Sequence, residues 1–433
     1  MNTTAKEMLD FIDKSPTCFQ VVSNLRKELL NNGFTELFEK EKWSLKPGGK
    51  YFVTRNDSSI ISFTIPQKKY DGFYITASHS DSPCFKIKPY PEIESSGAYV
   101  KLNIEKYGGM LCSPWFDRPL SVAGRVLICT GDGIESRSVV IDRDLLMIPS
   151  LAIHMNHDAN KGQEINVQND MLPIYGDISS KGTFMSTIAD AANVDKDSII
   201  GTDLFLYNRV LPVFWGAENE YISSARLDDQ ECVYTTFAGF LEAACSTSGI
   251  DNQKVKVHAV FDNEEVGSAT RQGAASTFLS DTLERIDISF DHNKEQYLME
   301  IAGSMMLSCD NAHAVHPNYE SKTDPVNKPV MNKGIVIKYS ANQKYTTDAV
   351  SEAFLTKICT DNDIPFQHFT NRADMLGGST LGNISSTNVP VRTVDIGLSQ
   401  LAMHSPYESA GAKDPEYMKR CAYSFYTSNI KLS

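Results

Sequence analysis

The hydrophobic period of this chain changes twice, and that change limits the architectures open to it. Up to about residue 88, helical and strand patterns alternate. The stretch "SPTCFQVVSNLRKELLNNGF" sets Phe19, Val22, Leu25 and Leu29 at helical spacing, with Ser15 as N-cap, Pro16 in the first turn and Asn32-Gly33 as the stop. Strand patterns follow in "KYFVTRN", "SIISFTI" and "GFYITASH". From about residue 89 the texture turns to β-like alternation in "AYVKLNIEKY", "LSVAGRVLICTGDG" and "SRSVVIDRDLLMI", with Gly-rich turns. After about residue 221 strands and helices alternate again, with strands in "VKVHAVF", "IVIKYS" and "VPVRTVDI" and helices in "ECVYTTFAGFLEAACS" and "TTDAVSEAFLTKICTDN". The expected fold class is α/β: a central mixed sheet flanked by helices, built from residues 1–88 and 222–433, interrupted by a β-rich insert at 89–221. Only "NYESKTDPVNKPVMNKG" reads as a long irregular loop.

Charge narrows the partners. Forty-one Lys plus Arg against 54 Asp plus Glu give −13 over 433 residues, with no basic arm, which disfavours a phosphate backbone. Nucleic acid is therefore not an expected partner. The opening "MNTTAKEMLDFIDKSPTCF" has no basic n-region or unbroken apolar core, and no later stretch has membrane-span length. A cytoplasmic protein without membrane partners is the expectation. Nine scattered cysteines without a C-x-x-C suggest neither a disulfide framework nor a thiolate metal site, so any metal should be held by His and carboxylate.

Ionisable residues gather where apolar runs stop. "FDNEEVGS", residues 261–268, puts Glu264 and Glu265 just past the strand "VKVHAVF" and before a small-residue turn. In open α/β sheets ligands bind at that end of the strands. "SHSDSP" ends "GFYITASH" with His79 and Asp81, whose spacing of two lets Asp81 hold the imidazole from behind. "ARLDDQ" places Asp228 and Asp229 before a helix, where one of them can serve as a cap. "CDNAHAVHPNY" brings Asp310 with His313 and His316, and "QLAMHSP" brings His404 beyond a strand. Taken singly, each has a plainer reading as a turn, a cap or a packed histidine.

As a set, His79, Asp228, Glu264, Glu265, Asp310 and His404 form a two-metal inventory on one sheet rim. Two cations about 3.5–4 Å apart need a bridging carboxylate, further carboxylate and imidazole ligands, and a free carboxylate as base. Neighbouring side chains diverge at a turn, so one glutamate of the pair can bind metal while the other faces a reacting water. The sequence has no P-loop, Rossmann fingerprint, H-E-x-x-H or G-x-S-x-G. "GGSTLG" at 377–382 lacks the P-loop lysine and reads as a substrate wall or a turn.

These residues resemble the aspartyl aminopeptidases and their vacuolar aminopeptidase relatives, dinuclear zinc exopeptidases. "SPTCFQVV", "SHSDSPCFKIKP", "WFDRPLSVAGRV", "PSLAIHMN", "ARLDDQ", "FDNEEVGS", "DNAHAVHPNY", "VIKYSANQKY" and "QLAMHS" carry the likeness from end to end. The resemblance implies a zinc-exopeptidase-like fold with two divalent ions, Zn foremost and Mn or Co as alternatives. It makes His79, Asp228, Glu265, Asp310 and His404 the ligands, Asp228 the bridge, Glu264 the general base and Asp81 the partner of His79. It implies removal of N-terminal residues, preferably Asp or Glu, from peptides with a free N-terminus through a metal-bridging hydroxide. Lys338 in "VIK" would meet the acidic side chain, with His313 nearby. The insert would serve dimerisation and send His154 into a neighbouring active site, within a homo-oligomer of dodecameric size. Two positions depart from the family pattern: Asp229 stands where Asn is usual, and Ser80 where Thr is common.

Three rivals remain at the level of sequence. A neutral-residue aminopeptidase of Leu type would make Lys338 incidental, and a di-metal deacylase would take N-acylated amides. A non-catalytic metal-binding assembly protein would have no use for Glu264.

Overall fold

The computed structural model describes residues 3–246 and 253–430. Its centre is a nine-stranded mixed sheet, in the spatial order Thr35–Leu37, Lys50–Arg55, Ser59–Thr64, Val255–Phe261, Phe73–His79, Met305–Cys309, Arg392–Gly397, Ile335–Tyr339 and Phe366–Thr370. Four strands in the middle run parallel: Val255–Phe261 pairs with Phe73–His79, then Met305–Cys309, then Arg392–Gly397. Every residue of Phe73–His79 is buried, as expected of a strand covered on both faces. The register sets Phe261 opposite His79, so the two chains leave the sheet side by side.

Helices cover both faces. Against one lie Cys18–Asn31, Leu227–Cys245, Ala349–Asp361 and Asp414–Thr427, packed through Leu25, Phe240, Leu355 and Phe425. Against the other lie Phe278–Ser289 and Lys294–Ala302, through Phe278, Leu283 and Ile301. Ala349–Asp361 opens with a capping box in which Asp348 accepts the backbone N–H of Ser351 and the Ser351 hydroxyl accepts that of Asp348.

The first helix-forming stretch departs from expectation. Cys18–Asn31 begins after Thr17, not Ser15; Ser15 is buried, and its hydroxyl oxygen accepts from Asn24 Nδ2 at 2.9 Å. An additional helix, Thr3–Asp13, precedes it and buries Met8, Leu9 and Ile12.

The β-rich insert is a six-stranded antiparallel sheet in the order Gly133–Val140, Leu120–Thr130, Ile199–Asn208, Cys84–Ser95, Tyr99–Tyr107 and Ile174–Asp177. Phe184–Ala192 packs on it over a core of its own that includes Phe85, Val122 and Leu204. Its first strand starts at Cys84, ahead of the change in texture at residue 89. Val213–Trp215, inside the expected insert, joins Tyr221–Ser224, Glu408–Gly411, Ser399–Leu401 and Ala312–His313 in a third sheet instead. That small sheet ties the exit of the insert to the segment that carries His404.

Candidate metal centre

Five chain segments converge at the C-terminal rim of the parallel strands. His79 ends Phe73–His79, the Glu264–Val266 turn follows Val255–Phe261, and Asp310 follows Met305–Cys309. Asp310 is drawn in by a bond from its N–H to Ile396 O at 2.9 Å, and by Gly397, where a Cβ would stand 1.9 Å from Asp310 O. The fourth segment is the start of Leu227–Cys245, where Asp228 and Asp229 depart from helical backbone angles and are joined by a cis peptide. His404, at φ 66°, comes from the turn after Ser399–Leu401.

Asp228 sits between the two imidazoles. Its Oδ1 is 3.4 Å from His79 Nε2 and its Oδ2 is 3.4 Å from His404 Nε2. His404 Nε2 is also 3.4 Å from Glu265 Oε2. Three donor sets result: His79 with Asp228, Asp229 and Asp310; His404 with Asp228 and Glu265; and His79 with Glu264 and Glu265. Glu264 lies beside the first set, close to His79. Asp229 Oδ2 accepts the backbone N–H of His79 at 3.2 Å, so this acid braces the strand end and is not an idle cap.

The donors fit divalent cations. Asp228 Oδ1, Asp229 Oδ1 and Glu265 Oε1 are buried without a hydrogen-bond partner, a costly state unless a positive charge answers them. Burial and the neighbouring Asp228 hold the Glu265 carboxyl well above its ordinary range, and burial with Asp228 raises Asp310. Burial alone would lower the His79 pKa, but Asp229, Asp228 and Asp81 together hold it well above the usual value. The field draws positive charge to this spot. Imidazole with carboxylate suits Zn and the neighbouring first-row ions.

Two further acids fix the arrangement. Asp81 Oδ1 accepts the Glu264 N–H at 3.1 Å, and its Oδ2 accepts the Glu265 N–H at 3.2 Å and the Tyr107 hydroxyl at 2.7 Å. The Asp81 backbone O lies 3.1 Å from His79 Nδ1, nearer than its carboxylate at 3.4 Å. Glu408 was not singled out in the sequence. It is 2% exposed, and its Oε1 accepts the His404 N–H at 2.7 Å while its Oε2 accepts that of Asp228 at 3.1 Å. Burial, with Asp228 next to it, pushes the Glu408 carboxyl up to about 8.

A cavity of about 180 Å³ opens over this rim, lined by His79, Asp228, Glu264, Asp310, His313 and Lys338 among others. Gly378, Ser379 and Thr380 of the "GGSTLG" stretch form part of its wall. Lys338 is 2% exposed, and its Nζ donates to Asp310 O at 2.6 Å and Asn311 O at 3.3 Å. His313 is exposed on the wall with its ring edge-on to Phe369, whereas His316 packs on Tyr319 and accepts the Asn318 N–H, outside the cavity lining. His154 lies on an exposed loop of the insert and does not line the cavity within one chain. A separate cavity of about 120 Å³ lies behind Asp81, toward Tyr107, Phe205 and Arg226.

Comparison with known proteins points the same way as this geometry. A family model described as "Aminopeptidase I zinc metalloprotease (M18)" matches residues 11–426. A "Probable M18 family aminopeptidase 2" of Clostridium acetobutylicum is 47% identical over 432 residues, covering 98% of each chain. A protein of the same description from Ectopseudomonas mendocina is 38% identical over 429 residues, covering 97% of each. Among solved structures, Ape4 in complex with Nbr1 superposes with a TM-score of 0.94 at 36% identity, covering 98% of this chain and 85% of that one. The S. cerevisiae mApe1 dodecamer gives 0.85 at 26% identity, covering 98% and 96%. With a matching model over nearly its whole length and relatives this similar, the chain belongs to the M18 aminopeptidase family of zinc metalloproteases.

Proposed function

We propose that this aminopeptidase holds two divalent ions, Zn foremost and Mn or Co as substitutes, and releases N-terminal residues from peptides, with Asp or Glu preferred. His79, Asp228 and Asp310 would hold one ion, and Asp228, Glu265 and His404 the other. The observation that carries this reading is Asp228, with one oxygen 3.4 Å from each imidazole, the position a shared ligand needs. Such a pair of cations supplies Lewis acidity and brings the ionisation of a water to about pH 7.

The chain's own residues do the rest. Glu264, which neither donor set with His404 nor that with Asp310 requires, takes the proton from the attacking water and returns it to the departing amine. Asp81 keeps Glu264 and Glu265 in their divergent directions through the two backbone bonds. A free α-amino group fits among the carboxylates of the rim, which restricts cleavage to the N-terminus. The acidic preference rests on Lys338, a fixed cation in the cavity wall, with His313 beside it. One observation favours the neutral-residue reading instead: two of the Lys338 donors already serve Asp310 O and Asn311 O.

Assembly completes the proposal. Leu151, Ile153 and Met155, which are 57%, 47% and 74% exposed, flank His154 on the insert. An apolar tip of this kind suits contact with a second copy, in which His154 would reach the neighbour's cavity. We assign a homodimer that builds a larger homo-oligomer, a dodecamer by analogy with the mApe1 structure. Among the described residues no helix is long and apolar enough to cross a membrane, and the nine unpaired cysteines suit the cytoplasm.

Glu264→Gln tests the central role. It should keep both metal equivalents and lose 10²-fold or more in kcat, the scale of general-base catalysis. A variant with near-normal kcat would refute the base.

A further inference from the structure

A second group of metal-ligating side chains lies at the opposite end of the sheet. Asp287 is on helix Phe278–Ser289, Glu300 is on helix Lys294–Ala302, and His292 is in the turn between them. Each offers one donor atom, and the three atoms lie within 4.8 Å of one another. The cluster is held beside Tyr70, three residues before the strand that ends in His79. A seven-residue strand spans roughly 20 Å, so this place is well separated from the candidate catalytic centre.

The polar atoms here are only partly satisfied. Asp287 is 1% exposed and Glu300 7%, yet Asp287 Oδ2 and Glu300 Oε2 have no hydrogen-bond partner. His292 Nδ1 forms an ion pair with Glu300 Oε1 at 2.9 Å and lies 3.9 Å from Asp287 Oδ1. An imidazole and two carboxylates gathered this closely, with a buried oxygen of each carboxylate left without a hydrogen bond, suit a common cation between them. Around a zinc ion at about 2.0–2.1 Å, tetrahedral donors stand about 3.3 Å apart, in the range seen here.

The surroundings support the donors from outside. Tyr70 Oη donates to Asp287 Oδ1 at 2.8 Å, orienting that carboxylate as outer partners orient metal ligands. The His292 ring lies 5.0 Å from the Tyr70 ring, and its backbone N–H bonds Asp287 O at 3.0 Å. The capping box of Asn293 and Gln296 starts the second helix right after the histidine. Imidazole, carboxylate and carboxylate thus come from a rigid turn.

We propose that Asp287, His292 and Glu300 form a third divalent-metal site per chain, distinct from the candidate catalytic pair. One imidazole with two carboxylates and a free fourth position for water selects a first-row ion of the zinc class over Mg or Ca. Its role is to clip two helices to the Tyr70 segment at the sheet's far end. The competing arrangement is a proton shared between the two carboxylates, which interact closely.

Elemental analysis after zinc loading and desalting decides between them. The difference between the wild type and His292→Ala or Glu300→Gln should be one metal equivalent per chain, with kcat on peptides within about twofold. Chelator should lower the wild-type melting temperature more than that of either variant. If His292→Ala does not fold, Glu300→Gln alone carries the comparison. Equal metal content in wild type and variant overturns the site. Because the readout is a difference, it stands even if the catalytic pair holds fewer ions than proposed, a failure that His79→Ala reports separately.

Discussion

The carboxylate of Asp81 grips the backbone of Glu264, its Oδ1 accepting the Glu264 N–H at 3.1 Å. With the matching bond to Glu265 at 3.2 Å and the Tyr107 hydroxyl at 2.7 Å, one buried acid sets the direction of both glutamates. Its position two residues after His79 makes it a joint between two neighbouring strand ends.

Replacing that joint should harm turnover more than binding of metal. Asp81→Asn turns an N–H donor toward a backbone N–H, so the turn must shift. A displacement of about 1 Å at the reacting groups costs about 10²-fold. Steady-state kcat together with elemental analysis checks this; a variant that loses metal in proportion to activity would assign Asp81 to the metal instead of the turn.

Glu408 should act on the other side of the centre. It holds the N–H groups of both His404 and Asp228, the latter the proposed shared ligand. Glu408→Ala should weaken zinc affinity 10–100-fold, the usual cost of removing an outer partner. Competition with a chromophoric chelator measures this, and unchanged affinity would show that the two N–H groups keep their places without it.

His258 offers a test of the fold alone. It is 1% exposed, stacked near Phe240, and burial lowers its pKa to about 3. The unfolded chain takes up a proton near pH 6.5 that the folded chain refuses until about 3. Its contribution is therefore complete above about pH 6.5 and is lost as pH falls below that value. Between pH 7 and 5 this one group should remove about 2 kcal/mol of stability. His258→Gln should lose that much less over the same interval in urea unfolding; an identical loss in wild type and variant would contradict a neutral buried imidazole.

Much of the rim was legible because its residues end apolar runs. His79 ends, and Glu264 and Glu265 follow, strands that the sequence pattern identifies, Asp310 follows Met305–Cys309, and parallel pairing brings such ends together. Glu408 was not legible, since nothing local marks it: it lies on a short strand of the small third sheet and acts through backbone bonds to residues 180 and 4 positions away. The insert's first strand, Cys84–Ser95, begins only five residues after His79, so the change in texture near residue 89 falls inside that strand instead of at its start. Thr3–Asp13 has no acidic residue in its first turn and no basic one in its last to mark its ends, although Met8, Leu9 and Ile12 have the spacing of a buried helical face. Asp287, His292 and Glu300 carry no motif and meet only through the folding of two helices.

The most direct test of the account is hydrolysis of Asp-, Glu- and Leu-initiated peptides, and of their N-acetylated forms, by chelator-stripped protein with and without added Zn, Mn or Co. Cleavage should return only with metal, require a free N-terminus and favour Asp or Glu. Cleavage of the acetylated forms, or none of any peptide under every metal, would contradict the account.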